Sequence, residues 1–267
     1  MKIALSAMDQ AWEDKQANLM TCRKLAARAA ALGADLLIFP EMTLTGFTSN
    51  AAGVAEDSDA SASMKSFSEM AREHRIGVIA GMVLASKGRF ENCALAYDRN
   101  GAQLCRYAKI HPFSLSGEAR DIRGGDALAT FEHEGTRFGL TICYDLRFPI
   151  IWQALGDQCD CIVNIANWPA RRVRHWTALL MARAIENQVY VIGVNRVGVD
   201  GNGLTYAESS LAFSPDGIEI IPSEADEGLR IIEIEKRAVK EIRDAFPVRR
   251  DRRHNLYDEL LMKRAGT

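Results

Sequence analysis

Runs of apolar, mostly branched residues recur along almost the entire chain, separated in turn by stretches of helical spacing and by tight turns. KIALSAM (residues 2–8) reads as a buried strand. Residues 12–32 carry helical spacing at Ala17, Met20, Leu25 and Arg28 and stop at Gly33, an ordinary helix end. ADLLIFPE (34–41) predicts a second strand closed by Pro40, residues 63–74 a helix, and RIGVIAGMVL (75–84) a further strand. FENCALAYD (90–98) turns at Asn100-Gly101 into AQLCRYAKI (102–110), a hairpin. The polar, glycine-containing residues 112–126 predict a loop. After TRFGLTIC (136–143) come a helix from Pro149, a strand in DCIVNIAN (160–167), a long helix over 174–187 and a strand in VYVIGVNRV (189–197). SSLAFSPDGIEIIP (209–222) predicts two strands about a Pro-Asp-Gly turn, followed by a strand in LRIIEIE (229–235) and a helix over 236–245.

Strands joined both by helices and by hairpins require mixed sheets with helices packed on their faces. The 267 residues, 48% of them apolar and 25% charged, supply a core for one large α/β domain, and no Gly-, Ser- or Pro-rich linker divides them. A net charge of −2 gives no positive field to hold nucleic acid. The basic cluster at 249–253 reads as a solvated face; the one at 171–174 stands beside a more informative stretch. The N-terminus is too short in apolar residues for a signal peptide and no run is long enough to span a bilayer, so the expected location is the cytoplasm, without membrane contact. The six cysteines lack a disulfide framework, as suits a reducing compartment, and Cys159 and Cys161 are too close and too few for a zinc knuckle. The five histidines show no metal spacing; His111 is a candidate hydrogen-bond support for Lys109.

Reactive groups in layered α/β folds gather where strands run out into loops. Three such ends carry complementary chemistry: Glu41 after DLLIFP, Lys109 after QLCRYA and Cys143 after FGLTI. Taken singly, each has a plain structural alternative: a buried thiol, or a charged residue meeting water. Taken together they offer a nucleophile, a base for its proton, and an ammonium for the charge that develops on a carbonyl oxygen when a thiolate adds to it. The backbone N–H of Tyr144 is placed as a second donor to that oxygen.

In order and context, Glu41 in IFPEMTLTGF, Lys109 in YAKIHPF and Cys143 in TICYDLRFP resemble the Glu-Lys-Cys triad of the nitrilase superfamily of carbon–nitrogen hydrolases, and the likeness runs over nearly the whole chain. The resemblance implies a four-layer α-β-β-α sandwich of mixed sheets in a single domain spanning residues 1–267. It implies Cys143 as nucleophile, Glu41 as general base, Lys109 as oxyanion stabiliser, and Glu118 in LSGEARDIRGGD as a second glutamate orienting the lysine or the substrate. It calls for a thioester intermediate and for no metal or organic cofactor. Asp145 and Arg147 read as supports of the nucleophile turn. It also implies a homodimer or larger assembly, with a C-terminal tail of about residues 246–267 in the contacts.

NWPARRVRHWTALLMARAIENQVYVIGVNRVGVDGNG is similar to the omega-amidase-like branch, which releases ammonia from the terminal amide of short dicarboxylic acid monoamides. A free carboxylate on such a substrate calls for a planar cation, for which Arg172 and then Arg171 are the candidates; each is equally readable as an exposed loop arginine. Phe47 and Trp168 are candidate walls, with Tyr144 beside them. One departure is Glu208, which stands where relatives of this branch carry a glycine: it either points to solvent or marks a different acyl group. The alternatives are a carbamoyl- or ureido-compound hydrolase using the same triad, and a redox-reactive thiol protein without amide turnover.

Overall fold

In the computed structural model, which describes residues 1–86, 88–226 and 228–264, the apolar runs form two sheets packed face to face. The first sheet places Lys2–Ser6 parallel to Leu36–Ile38 and that strand parallel to Gly77–Ser86; the antiparallel hairpin strands Arg89–Tyr97 and Gln103–Ala108 extend it. Its other side continues through Leu229–Glu233, antiparallel to the first strand. The second sheet has a parallel centre, Thr136–Ile142, Cys161–Ala166 and Tyr190–Asn195, flanked by antiparallel edges Thr130–His133 and Leu211–Phe213. Alternate residues from both sheets, Ile3, Leu5, Ile38, Ile79, Leu140, Ile142, Val163 and Ile192 among them, interlock as the central core. The outer face of the first sheet is covered by helices Lys15–Ala31 and Ala62–His74, and that of the second by Pro149–Gly156 and Val173–Asn187. The layers run α-β-β-α in one domain. No helix among the described residues is long and apolar enough to cross a membrane.

The helices begin and end on local signals. Asp14 accepts from the Ala17 N–H and Ser61 from that of Met64, while Pro149 opens its helix at a position that needs no N–H. Gln188 ends Val173–Asn187 in the left-handed region.

Several sequence expectations shift. The first helix buries Asn18, Cys22, Leu25, Ala26 and Ala29 and leaves Met20 56% exposed, a face rotated from the apolar spacing. Polar Asn18 turns inward because its amide donates to the carbonyls of Ala11 (2.6 Å) and Leu44 (2.8 Å). Residues 112–126 include one turn of helix, Glu118–Asp121. The return from the Pro-Asp-Gly turn is a single bridge, Phe213 to Glu219, beside which the Ile220 N–H donates to Ala212 O (2.8 Å). Strand Thr130–His133 has one apolar residue in four and so gives little periodic signal; its turn, Glu134-Gly135, has positive φ at both positions, as a two-residue hairpin requires.

Candidate active site

Glu41 lies three residues beyond strand Leu36–Ile38, while Lys109 and Cys143 directly follow strands Gln103–Ala108 and Thr136–Ile142. The first two come from one sheet and the third from the other, so the ends of both sheets meet at one place. Lys109 is fully buried there, with its Nζ 2.9 Å from Glu41 Oε1 and 2.9 Å from Glu118 Oε2. Burial works against its ammonium, but the carboxylates of Glu118 and Glu41 outweigh that and hold its pKa above the ordinary 10.5.

Asn92 completes the cluster. Its Nδ2 donates to Glu41 Oε1 (2.8 Å) and to Glu118 Oε1 (2.9 Å), so one amide spaces two carboxylates that share one lysine. The second oxygen of Glu41 accepts from the Asn167 N–H (2.9 Å), and that of Glu118 from the Phe113 N–H (2.6 Å). Asn167 and Gln10 anchor the Glu41 backbone: Asn167 Nδ2 donates to Glu41 O (2.6 Å), and Gln10 Nε2 donates to the carbonyls of Glu41 (3.0 Å) and Met42 (2.9 Å).

Cys143 has φ of 46°, a left-handed conformation unusual for a residue with a side chain. The turn that imposes it, Cys143–Arg147, is pinned by the buried Asp145. That carboxylate accepts from the Ile142 N–H (3.0 Å), the Tyr107 hydroxyl (2.7 Å) and the His111 N–H (3.0 Å), with the His111 ring Nδ1 at 2.8 Å. His111 therefore supports the cysteine's turn rather than Lys109, and it stacks on Phe148 at 3.7 Å. The thiol lies 3.9 Å from Asn167 O, one peptide from the N–H held by Glu41. Burial pushes the Cys143 thiol well above the ordinary 9.0; Glu41 adds to the effect and Lys109 opposes it.

A cavity of about 450 Å³ opens over the thiol, walled by Phe47, Phe113, Tyr144, Trp168 and Tyr206. The Phe47 ring lies 5.3 Å from Lys109 Nζ. Arg171 and Arg172 both reach this cavity, the first exposed and the second half-buried, with the Arg172 guanidinium 5.8 Å from the Phe113 ring. Burial and the neighbouring Arg171 lower the Arg172 pKa.

A model of the carbon–nitrogen hydrolase family matches residues 2–244. The chain belongs to that family. Among its relatives is omega-amidase YafV of Escherichia coli (strain K12), 36% identical over 254 residues, which cover 94% of this chain and 96% of the relative. Another is a 2-oxoglutaramate amidase of Bacillus subtilis (strain 168), 31% identical over 226 residues that cover 84% of this chain and 87% of the relative. Among solved structures, a CN-hydrolase superfamily protein of Xanthomonas campestris, XC1258, bearing an arsenic adduct in its active site, superposes with a TM-score of 0.88 at 31% identity, covering 94% of this chain and 97% of that one.

In this hydrolase the sequence-predicted residues Glu41, Lys109, Glu118 and Cys143 come together, and Phe47, Tyr144, Trp168, Arg171 and Arg172 all line the adjoining cavity. Glu208 does not line it; its carboxylate is exposed and pairs with Arg230 at 3.4 Å. Sequence reasoning missed Asn92, Asn167, Tyr206 and the cavity position of Arg147. Asn92 carried a usable signal, since an amide inside the apolar run FENCALAYD must find a buried partner.

Proposed function

We propose that this hydrolase cleaves the terminal amide of short dicarboxylic acid monoamides, releasing ammonia through a thioester on Cys143. The observation that carries the reading is the buried Glu41–Lys109–Glu118 cluster beside a strained cysteine, at a cavity that also holds Arg171 and Arg172. The amide carbonyl sits over Cys143, with its oxygen toward Lys109 Nζ and the Tyr144 N–H. Glu41 takes the thiol proton as sulfur bonds to the carbonyl carbon, and the negative charge passes to the carbonyl oxygen. A thiol with a raised pKa beside a carboxylate gives up its proton only as it attacks. Glu41 then protonates the departing nitrogen, the C–N bond breaks, and ammonia leaves a thioester. Water, losing a proton to Glu41, adds to the thioester, and the acid departs as the Cys143 sulfur regains that proton. Glu118 and Asn92 hold Lys109 in place. The carboxylate of the acyl group meets Arg172 and Arg171.

The protein is further proposed to work in the cytoplasm as a homodimer. Free cysteines and family membership support the first and second points respectively, and Ile150, Met181 and Ile185, exposed on the outer helix pair, offer an apolar contact face. In the C-terminal segment, Arg249 and Arg252 bind Asp157 of the same chain, while helix His254–Arg264 stays exposed and residues 265–267 lie outside the described residues.

The test is ammonia release from succinamate, 2-oxoglutaramate, a carbamoyl-β-amino acid and a simple nitrile, with Cys143→Ala as blank. Cys143-dependent release from the monoamides is expected. Release from the carbamoyl compound alone overturns the substrate class, and silence across the panel overturns the amidase reading.

A further inference from the structure

The cavity over Cys143 has a third guanidinium. Arg147 ends the five-residue turn that Cys143 begins, and its guanidinium stacks over Trp168 at 4.7 Å on the cavity wall. Its polar neighbour is the His175 ring, with Nη2 to Nδ1 at 3.5 Å. Among the described residues no carboxylate pairs with Arg147, Arg171 or Arg172: Glu41 and Glu118 are engaged by Lys109 and Asn92, and Asp145 by Tyr107 and His111. Three cations thus converge on one cavity without a counter-charge from the protein. Such an arrangement is completed by an anionic ligand.

We infer that Arg147 is a specificity-determining residue, holding the carboxylate of the acyl group at a fixed distance from the attacking sulfur. Arg171 is exposed, whereas Arg147 is half-buried and belongs to the nucleophile's own turn. That turn is immobilised by four contacts to Asp145, by the Trp152 Nε1 donating to Asp145 O (3.0 Å), and by Arg183 donating to Leu146 O (2.9 Å). Its four residue steps amount to about 8 Å at the rise of a 3₁₀ turn. Cys143 and Arg147 therefore move as one body, and the span between them selects acyl chains of matching length. The Trp168 ring covers the face of the guanidinium and His175 lies at one side of Nη2, which leaves the other edge for bidentate bonding. This role takes its acidic acyl group from the amidase reading, yet it can be tested without amide turnover.

The probe is glutarate, a dicarboxylate of product type, with 1,5-pentanediol, neutral and without an amide to cleave, as control. The readout is protection of Cys143 from alkylation by iodoacetamide, measured against the unprotected rate of each variant and mapped by peptide. The other five cysteines are buried, so their silence reports that each variant is folded. Glutarate is expected to protect the wild-type protein. Arg147→Gln should need about tenfold to a hundredfold more glutarate for the same protection. Arg147→Lys should fall between, while 1,5-pentanediol has the same effect on all three. Should Arg147→Gln label at buried cysteines, Arg147→Lys carries the comparison. Equal glutarate protection in wild type and variants, or none in wild type, overturns the assignment. Glutarate protection that depends on Arg147 in a protein releasing no ammonia from any monoamide overturns the amidase reading instead, and leaves Arg147 in its role.

Discussion

Cys143 is held at φ 46° by a turn whose buried carboxylate, Asp145, gathers donors from Tyr107, His111 and Ile142 at the ends of two strands. The strain belongs to the backbone, so Cys143→Ala should fold with a melting temperature near that of the parent and release no ammonia. Cys161→Ser, in the central core, should cost about 1–3 kcal/mol of stability by burying a hydroxyl, yet keep its turnover per folded molecule. Because burial lifts the Cys143 thiol above 9.0, the free enzyme holds it protonated at neutral pH. Its alkylation rate should accordingly keep rising past pH 9; a plateau near pH 7 would show a resting thiolate. Lys109→Met leaves two buried carboxylates without a cation, and should lose about 3–5 kcal/mol of stability by chemical denaturation as well as all measurable turnover. Glu41, Lys109 and Cys143 were legible in the sequence because a reactive side chain at a strand end stands out from the apolar run before it. Asn92 and Asn167 were not, since their value lies in whom they touch across the sheets.

At the scale of elements, Glu56 ties two outer helices together. It accepts from Lys15 Nζ (2.7 Å) at the start of one helix, and from the Ser61 hydroxyl (2.6 Å), the Ser63 hydroxyl (2.6 Å) and the Ser63 N–H (2.8 Å) at the start of the other. Burial opposes its ionisation, but these donors outweigh it and bring the Glu56 pKa down to about 2. A carboxylate depressed in the folded state stabilises above its unfolded value near 4.5, and that contribution disappears as the pH falls toward 2. Glu56→Gln should therefore lower the melting temperature at pH 7 and flatten its fall between pH 4.5 and 2. Identical acid melts for variant and parent would remove Glu56 from the account. The long helices and central strands were readable from period alone. The buried face of helix Lys15–Ala31 was not, because Asn18 is inside for its hydrogen bonds and not for its polarity.

Across the whole molecule, two sheets converge on one site, and the C-terminal segment braces the layer that carries Cys143. Arg243 donates to the carbonyls of Gly156 (2.9 Å), Cys159 (3.0 Å) and Gln188 (3.1 Å), closing the ends of helices Pro149–Gly156 and Val173–Asn187. Arg243→Met should cost about 2–3 kcal/mol in chemical denaturation, by leaving those carbonyls without a charged donor, and should leave KM unchanged. Sandwich architecture was foreseeable from the alternation of strands and helices together with the family resemblance. The capping role of Arg243 was not, since it depends on how a distant helix settles against two helix ends.

The most direct test of the central claim is to hydrolyse succinamate in the presence of hydroxylamine and measure ammonia, succinate and succinyl hydroxamate together. A thioester on Cys143 predicts hydroxamate in proportion to hydroxylamine at the expense of succinate, with one ammonia for each acyl group released and none of these products from Cys143→Ala. Ammonia and succinate formed with no hydroxamate at any hydroxylamine concentration would contradict the acyl-enzyme, and with it the role assigned to Cys143.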